Sequence, residues 1–421
     1  RYQGKIMNRR NFLTTMGALP FLPSLVSGSE FLKTSKRSLI LIWLDGGMSH
    51  IDTFDGKPEA PPDIRGDLVS KESSLEGAFV SEHMPLISKM MKDCVLVRSI
   101  TSPEGNHDRG SCYMLTGRRP NPVLNYPSIG AVFGHEAAND GDQIPPFVSI
   151  PDAHYYARQG FMPITRGPFE VGGSPGVKGF QVKNLNPPKQ MDRAMKLLKA
   201  VDALDGYPRS ESELGRDRFL DQARFLSLDP EVRSMFDVNL EPVETRARYG
   251  RHFLGQSCLL ARRLVEGGVR TAFVRYKGWD DHRGIKDALS FGYPPKLTAL
   301  DQAVSALRED LDRRGMLERT TVMVATEFGR TPRLNPSAGR DHWSRASSSL
   351  LFGGGLKKGV LVGKTDARGE APIERPVSPA DLFYTVLSAL GADVETKLST
   401  ATGRPIPLIE QDMKLIKEAL A

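Results

Sequence analysis

The residues best suited to chemistry fall in short segments that each follow an apolar run. Asp45-Gly46-Gly47 follows LILIWL, and Asn106-His107-Asp108 follows CVLVRSI. Trp279-Asp280-Asp281-His282 follows RTAFVRY, and Glu327 follows TTVMVAT, with Gly329-Arg330 just beyond. Farther on stands Arg340-Asp341-His342-Trp343. Only eight histidines occur in the chain, and three of them are in these segments. Carboxylates and imidazoles gathered at one place repel or compete unless a cation joins them. A mixed Asp/Glu/His set suits Zn²⁺ or Mn²⁺. Ca²⁺ and Mg²⁺, which prefer oxygen ligands, remain open. Each residue also has a plain structural use: an Asp after a strand often caps a helix, and a lone His is often a satisfied core group.

The elements that must position these groups are legible as short runs rich in β-branched and aromatic residues. The expected strands are Leu39–Leu44, Cys94–Ile100, Phe147–Ile150, Arg270–Tyr276 and Thr320–Thr326, each too short for a helix. Between them, residues 247–266 and 297–314 repeat apolar side chains at helical spacing. Ser378-Pro379-Ala380-Asp381 supplies an N-cap, a first-turn proline and an acid at the positive end of a further helix running to Gly391. Strands alternating with helices predict an α/β fold, a mostly parallel sheet covered on both faces. In such sheets, ligands bind outside the carboxyl ends of the strands, where the acids and histidines stand. Residues 151–190, rich in Gly and Pro, are expected to form a surface excursion, and residues 330–375 turns and short hairpins.

Bulk properties narrow the classes. A chain of 421 residues with 39% hydrophobic and 25% charged residues can bury a large core. The net charge of +7 has no dense basic block or basic-aromatic interleaving behind it, which reads first as a solvated basic surface, argues against nucleic acid, and leaves an anionic ester as the better of the remaining options. Cys94, Cys112 and Cys258 lack metal-knuckle or disulfide spacing. No glycine-rich run follows a strand in a nucleotide-binding context. Residues 1–33 read as an export signal: Asn8-Arg9-Arg10-Asn11-Phe12-Leu13 has the twin-arginine pattern, followed by a modest apolar stretch from Met16 to Val26. The expected localisation is therefore periplasmic or extracellular, with no integral membrane segment. The expected organisation continues with one domain over 38–395 and a tail, 396–421, packed on it.

These residues resemble the alkaline phosphatase superfamily, which includes sulfatases, phosphodiesterases and cofactor-independent phosphoglycerate mutases. Asp45 after its strand, Leu115-Thr116-Gly117-Arg118, Asp280-Asp281-His282, Glu327, His342 and the closing Ser378–Ala392 segment carry the likeness. More narrowly, DGGMSHIDTFD, GWDDH, TEFGRTP, GRDHW and GGGLKKGVLVGKTD resemble the exported bacterial proteins grouped as domain of unknown function 1501. The resemblance implies an alkaline-phosphatase-like fold. It also departs from the pattern: His107 stands where sulfatases keep a nucleophilic Cys or Ser, and Phe328 where phosphatases keep a His ligand. His107 could supply the imidazole that Phe328 cannot. One site would then be Asp280, His282 and His342, and a second Asp45, Glu327 and His107.

The function these features imply is metal-dependent hydrolysis of an anionic ester, phosphate or sulfate, whether a small ester or a sulfated or phosphorylated glycan. The nucleophile would be water activated by the metal, with Ser49 and Ser111 as the side-chain alternatives. Arg109, and also Arg330, would clamp an oxyanion. The alternative is an exported binding or scaffold protein of the same fold, for which the missing nucleophile is the main argument.

Overall fold

The computed structural model describes residues 37–137, 144–182, 185, 229–287 and 292–421, with isolated helical positions 193, 197, 200 and 226 between them. The segment expected to be an export signal, residues 1–33, lies outside the described residues. The sheet strands are β1 (Ser38–Asp45), β2 (Val95–Ile100), β3 (Phe147–Ile150), β4 (Phe169–Glu170), β5 (Thr271–Lys277) and β6 (Thr320–Ala325). A separate two-stranded hairpin, β7 (Gly329–Arg330) with β8 (His342–Trp343), precedes the last sheet strands, β9 (Ser347–Gly353) and β10 (Val360–Val362). The eight-stranded sheet has the order β10-β2-β9-β6-β1-β5-β3-β4. Every neighbouring pair in it is parallel except the two made by β9.

Alternation along β1 explains why the sheet is covered on both sides. Successive side chains of a strand point to opposite faces. Ile40, Ile42 and Leu44 enter one apolar cluster, while Leu39, Leu41 and Trp43 enter the other. The first cluster takes Leu260 and Leu264 from a helix over Phe253–Glu266, and Leu300 and Leu307 from one over Tyr293–Arg313. The second takes Val132 and Phe133 from Ile129–Ala137, and Leu382, Val386 and Leu390 from Pro379–Leu390. A strand buried on both faces must be apolar at every position, which is why LILIWL shows no polar alternation.

The Pro379–Leu390 helix has the expected capping box between Ser378 and Asp381, and it ends at a left-handed Gly391. Residues 247–266 are not one helix: Val243–Tyr249 and Phe253–Glu266 are separated at Gly250. Two expectations for irregular chain need correcting. Phe169–Glu170, within the Gly/Pro-rich excursion, adds an edge strand to the sheet. Ser347–Gly353 is a full interior strand, inserted antiparallel between β2 and β6. Its three leading serines hid it, although all are buried. From the tail, Ile416 and Ala419 are buried in the second cluster.

Strand direction decides what meets at the site. The parallel strands β1, β5, β6 and β2 end at one edge, and β9, running the other way, begins there, with Ser347 opposite Ile100. The segment just before β9 therefore reaches the same edge as the segments just after the other four.

Candidate metal centre

His107 arrives on a helix over His107–Thr116, which follows β2. The Asn106 side chain caps that helix by accepting from the backbone N–H of Asp108 and Arg109, and Gly117 closes it in a left-handed conformation. The helix lies close against the chain after β6: a Cβ on Gly110 would fall 2.9 Å from a Phe328 ring carbon and 3.2 Å from the Glu327 carbonyl oxygen. On the other side, Gly46 and Gly47 have φ of 128° and 81°, a region that favours glycine. A Cβ on Gly46 would sit 2.5 Å from the Asp280 backbone nitrogen, and one on Gly47 would sit 2.7 Å from the Phe328 ring. The two glycines let the turns after β1, β5 and β6 touch.

Three imidazoles and one carboxylate converge there. Oδ1 of Asp280 lies 3.0 Å from Nε2 of His282, 3.3 Å from Nε2 of His342 and 3.4 Å from Nε2 of His107. The Nε2 atoms of His282 and His342 are 3.2 Å apart. In each ring the other nitrogen is held by an acceptor. His107 Nδ1 donates to Glu327 at 2.8 Å, His282 Nδ1 to Asp341 at 2.7 Å and His342 Nδ1 to the Gly105 carbonyl at 3.1 Å. An imidazole that donates from Nδ1 carries its lone pair on Nε2. Three lone pairs thus face one carboxylate oxygen. That oxygen also accepts from Arg330 Nη2 at 2.5 Å.

Electrostatics follows from these contacts. Burial works to raise the pKa of Asp280, but the hydrogen bond and charge of Arg330, with His107 and His282 nearby, outweigh it and hold it at about 2. The hydrogen bond that His107 donates to Glu327 raises the pKa of His107, against the opposing effect of burial. Burial, then the positive charges of Arg330 and His107, lower that of His342. Asp341 is held below the usual carboxylate range by its bond to His282.

The set fits a divalent cation. His107, Asp280 and His342 each offer a ligand atom within 4.8 Å of the others, and His282 Nε2 adjoins them at 3.0 Å from Asp280 Oδ1 and 3.2 Å from His342 Nε2; ligands around one zinc ion stand roughly 3.3 Å apart. Nε2 of His107 is shut off from solvent and makes no hydrogen bond among the described residues, although a buried ring nitrogen ordinarily has a partner. A carboxylate or carbonyl behind each ligating His is the usual support of such a site.

The structure separates the expected residues. It brings together Asp280, His282, His342 and His107. Glu327 touches the group only through His107: its Oε1 accepts from His107 and from Gly46 N–H at 2.9 Å, and its Oε2 from Thr326. Asp45 does not join them, because Arg275 grips its Oδ2 with Nε and Nη2, both at 2.6 Å. Arg109 is turned to Glu104, which it holds at 2.6 and 3.1 Å. Ser49 is fully buried and donates to Asp52 at 2.5 Å. Ser111 is also fully buried, and burial pushes the Cys112 thiol up to about 11. Arg330 is committed to the carbonyls of Gly46, Gly47 and Arg340 as well as to Asp280. Phe328 packs against both His107 and His342, with ring centres 5.2 and 4.8 Å away, while the two imidazoles touch each other, their ring centres 4.3 Å apart.

Sequence reasoning missed Arg275, Asp341 and the pair of Asp52 and Arg340. A signal existed for each. Arg275 is a charge inside an otherwise apolar strand, Asp341 stands beside His342, and Asp52 follows the first glycine turn closely. Asp280 also borders a cleft of about 920 Å³, walled by Tyr276, Lys277, Lys296 and Gln302.

The model of a family described as protein of unknown function (DUF1501) matches residues 36–420. No curated protein matches the chain. Among solved structures, that of Ps i-CgsB is similar at 15% identity and a TM-score of 0.42, covering 85% of this chain and 73% of that one. The lipoteichoic acid synthase LtaP from Listeria monocytogenes is similar at 10% identity and a TM-score of 0.41, covering 91% and 80%. A protein in the alkaline phosphatase superfamily from Vibrio parahaemolyticus is similar at 10% identity and a TM-score of 0.35, covering 88% and 76%.

Proposed function

Because the chain belongs to the family described as protein of unknown function (DUF1501), we propose its activity from the site itself: metal-dependent hydrolysis of an anionic ester, phosphate or sulfate. The observation that carries this reading is the convergence of the Nε2 atoms of His107, His282 and His342 on one oxygen of Asp280. Those lone pairs repel the carboxylate unless a cation lies between them. Protonation does not serve as well, since a carboxylate oxygen has two lone pairs and Arg330 already takes one.

The nitrogen-rich set favours zinc or manganese over calcium or magnesium. A divalent ion held there polarises ester oxygens and lowers the pKa of a water nucleophile. The chain's own groups prepare the site. Glu327, Asp341 and the Gly105 carbonyl orient the three rings, and Arg330 keeps Asp280 ionised. The adjoining cleft is of ligand size, and its two lysines are already paired, Lys277 with Asp152 and Lys296 with Asp281, so the anionic ester, small or part of a sulfated or phosphorylated glycan, is proposed from the cation alone. The buried hydroxyls of Ser49 and Ser111 leave water as the nucleophile. The twin-arginine-like segment supports export. Among the described residues, no helix is long and apolar enough to cross a membrane.

The same observation about nucleophiles favours a second reading, an exported binding or scaffold protein of this fold. Aryl phosphates and sulfates tested with Zn²⁺, Mn²⁺, Ca²⁺ and Mg²⁺ separate the two. Turnover that disappears in Asp280→Asn and His342→Ala is expected for the hydrolase. Tight metal binding with no turnover of any ester would leave the binding protein.

A further inference from the structure

Two guanidinium groups lie where a site with several carboxylates would otherwise call for more than one cation. Asp45, at the end of β1, and Arg275, in β5, are both largely buried, with 16% and 18% of their side chains exposed. Arg275 also donates to Asp152 at 2.7 Å, and Lys277 completes the neutralisation of Asp152 at 3.2 Å. Arg330, itself buried, does the same for Asp280. The fourth acid, Glu327, spends both oxygens on hydrogen bonds. A buried carboxylate needs a positive partner, and a guanidinium satisfies two of its lone pairs in a fixed plane as a metal ion would. A second divalent ion at Asp45 would meet the guanidinium of Arg275, whereas Asp280, though it accepts from Arg330, also has three imidazole nitrogens facing it.

We infer that this chain takes a single divalent cation, at His107, His282, His342 and Asp280, and that Arg275 is the built-in cation of the Asp45–Asp152 pair, in place of a second ion. The inference rests on the metal-binding reading above and departs from the sequence expectation of a second site at Asp45, Glu327 and His107. The separation of roles is chemical. The histidine-rich position suits zinc, whereas Asp45 and Asp152, stripped of Arg275, would present oxygen alone and suit Mn²⁺ or Ca²⁺.

The experiment counts ions rather than turnovers. The protein is stripped with chelator, reloaded with Zn²⁺ alone or with Zn²⁺ followed by Mn²⁺, freed of excess metal and measured by elemental analysis. Wild type is expected to hold one ion per chain under either regime, and Arg275→Lys, which keeps the charge, also one. Arg275→Leu is expected to hold one zinc and to gain one manganese. Two ions in wild type would overturn the inference while leaving metal binding intact. No ion in wild type would overturn both. Arg275→Leu that folds and stays at one ion overturns the role given to Arg275. Should that variant not fold, the wild-type count decides between one ion, as inferred, and two, which overturns it.

Discussion

Nδ1 of His107 donates to Oε1 of Glu327 across 2.8 Å, joining the first turn of a helix to the residue just beyond a central strand. Glu327 is almost fully buried, and its two other hydrogen bonds fix its plane. The carboxylate therefore sets the ring's tautomer and aims Nε2 at Asp280. Replacing Glu327 by Gln keeps the shape but removes the charge behind the ring. Metal affinity is expected to fall about 10- to 100-fold with the number of bound ions unchanged, read by competition with a chromophoric chelator. An unaltered affinity would remove Glu327 from the site's support.

The packing at Gly110 offers a steric test. An added Cβ would meet Phe328 and the Glu327 carbonyl at 2.9 and 3.2 Å, so the helix must move. Gly110→Ala is expected to cost about 1–3 kcal/mol, the usual range for overpacking a filled interior, and to weaken metal binding because His107 rides on the same helix. A thermal melt with and without zinc reads both effects. Wild-type melting together with wild-type affinity would show that the contact is slack.

Beneath the His342 segment, Arg340 and Asp52 form an ion pair at 2.6 Å with both side chains fully buried. Arg340 also donates to the carbonyls of Ile64, Thr331 and Pro332. Asp52→Ala strands the guanidinium, and breaking one partner of a buried pair costs about 3–5 kcal/mol. Urea unfolding measures it. A loss below about 1 kcal/mol would mean that solvent reaches the pair.

Glu136, at the end of the Ile129–Ala137 helix, supplies a pH signature away from the metal centre. Burial raises its pKa from 4.5 to about 7, against a partial pull downward from the Asp393 backbone. The folded chain then holds this proton more tightly than the unfolded chain. The sign follows: stability is greatest below about pH 4.5 and declines as pH rises toward 7, where the native carboxyl ionises. At about 1.4 kcal/mol per unit, the contribution is on the order of 3–4 kcal/mol. Glu136→Gln is expected to flatten this decline and to raise the melting temperature at pH 8 relative to wild type. Parallel pH profiles of the two proteins would refute the assignment.

The sequence by itself determined the strands that build the centre of the sheet, because a strand buried on both faces leaves an apolar run that nothing else explains. It also determined which histidines and acids follow those strands, and the capped closing helix. Tertiary structure alone decided how those residues divide. Asp45 follows the first strand as clearly as Asp280 follows its own, yet Arg275, more than two hundred positions away in sequence, claims its carboxylate. His342 reaches the site because the strand after it runs antiparallel, a direction its serine-rich start conceals. Periodicity reports how a residue is buried against its own element. The partner that neutralises a charge is chosen by the register of other strands, and local sequence carries no record of it.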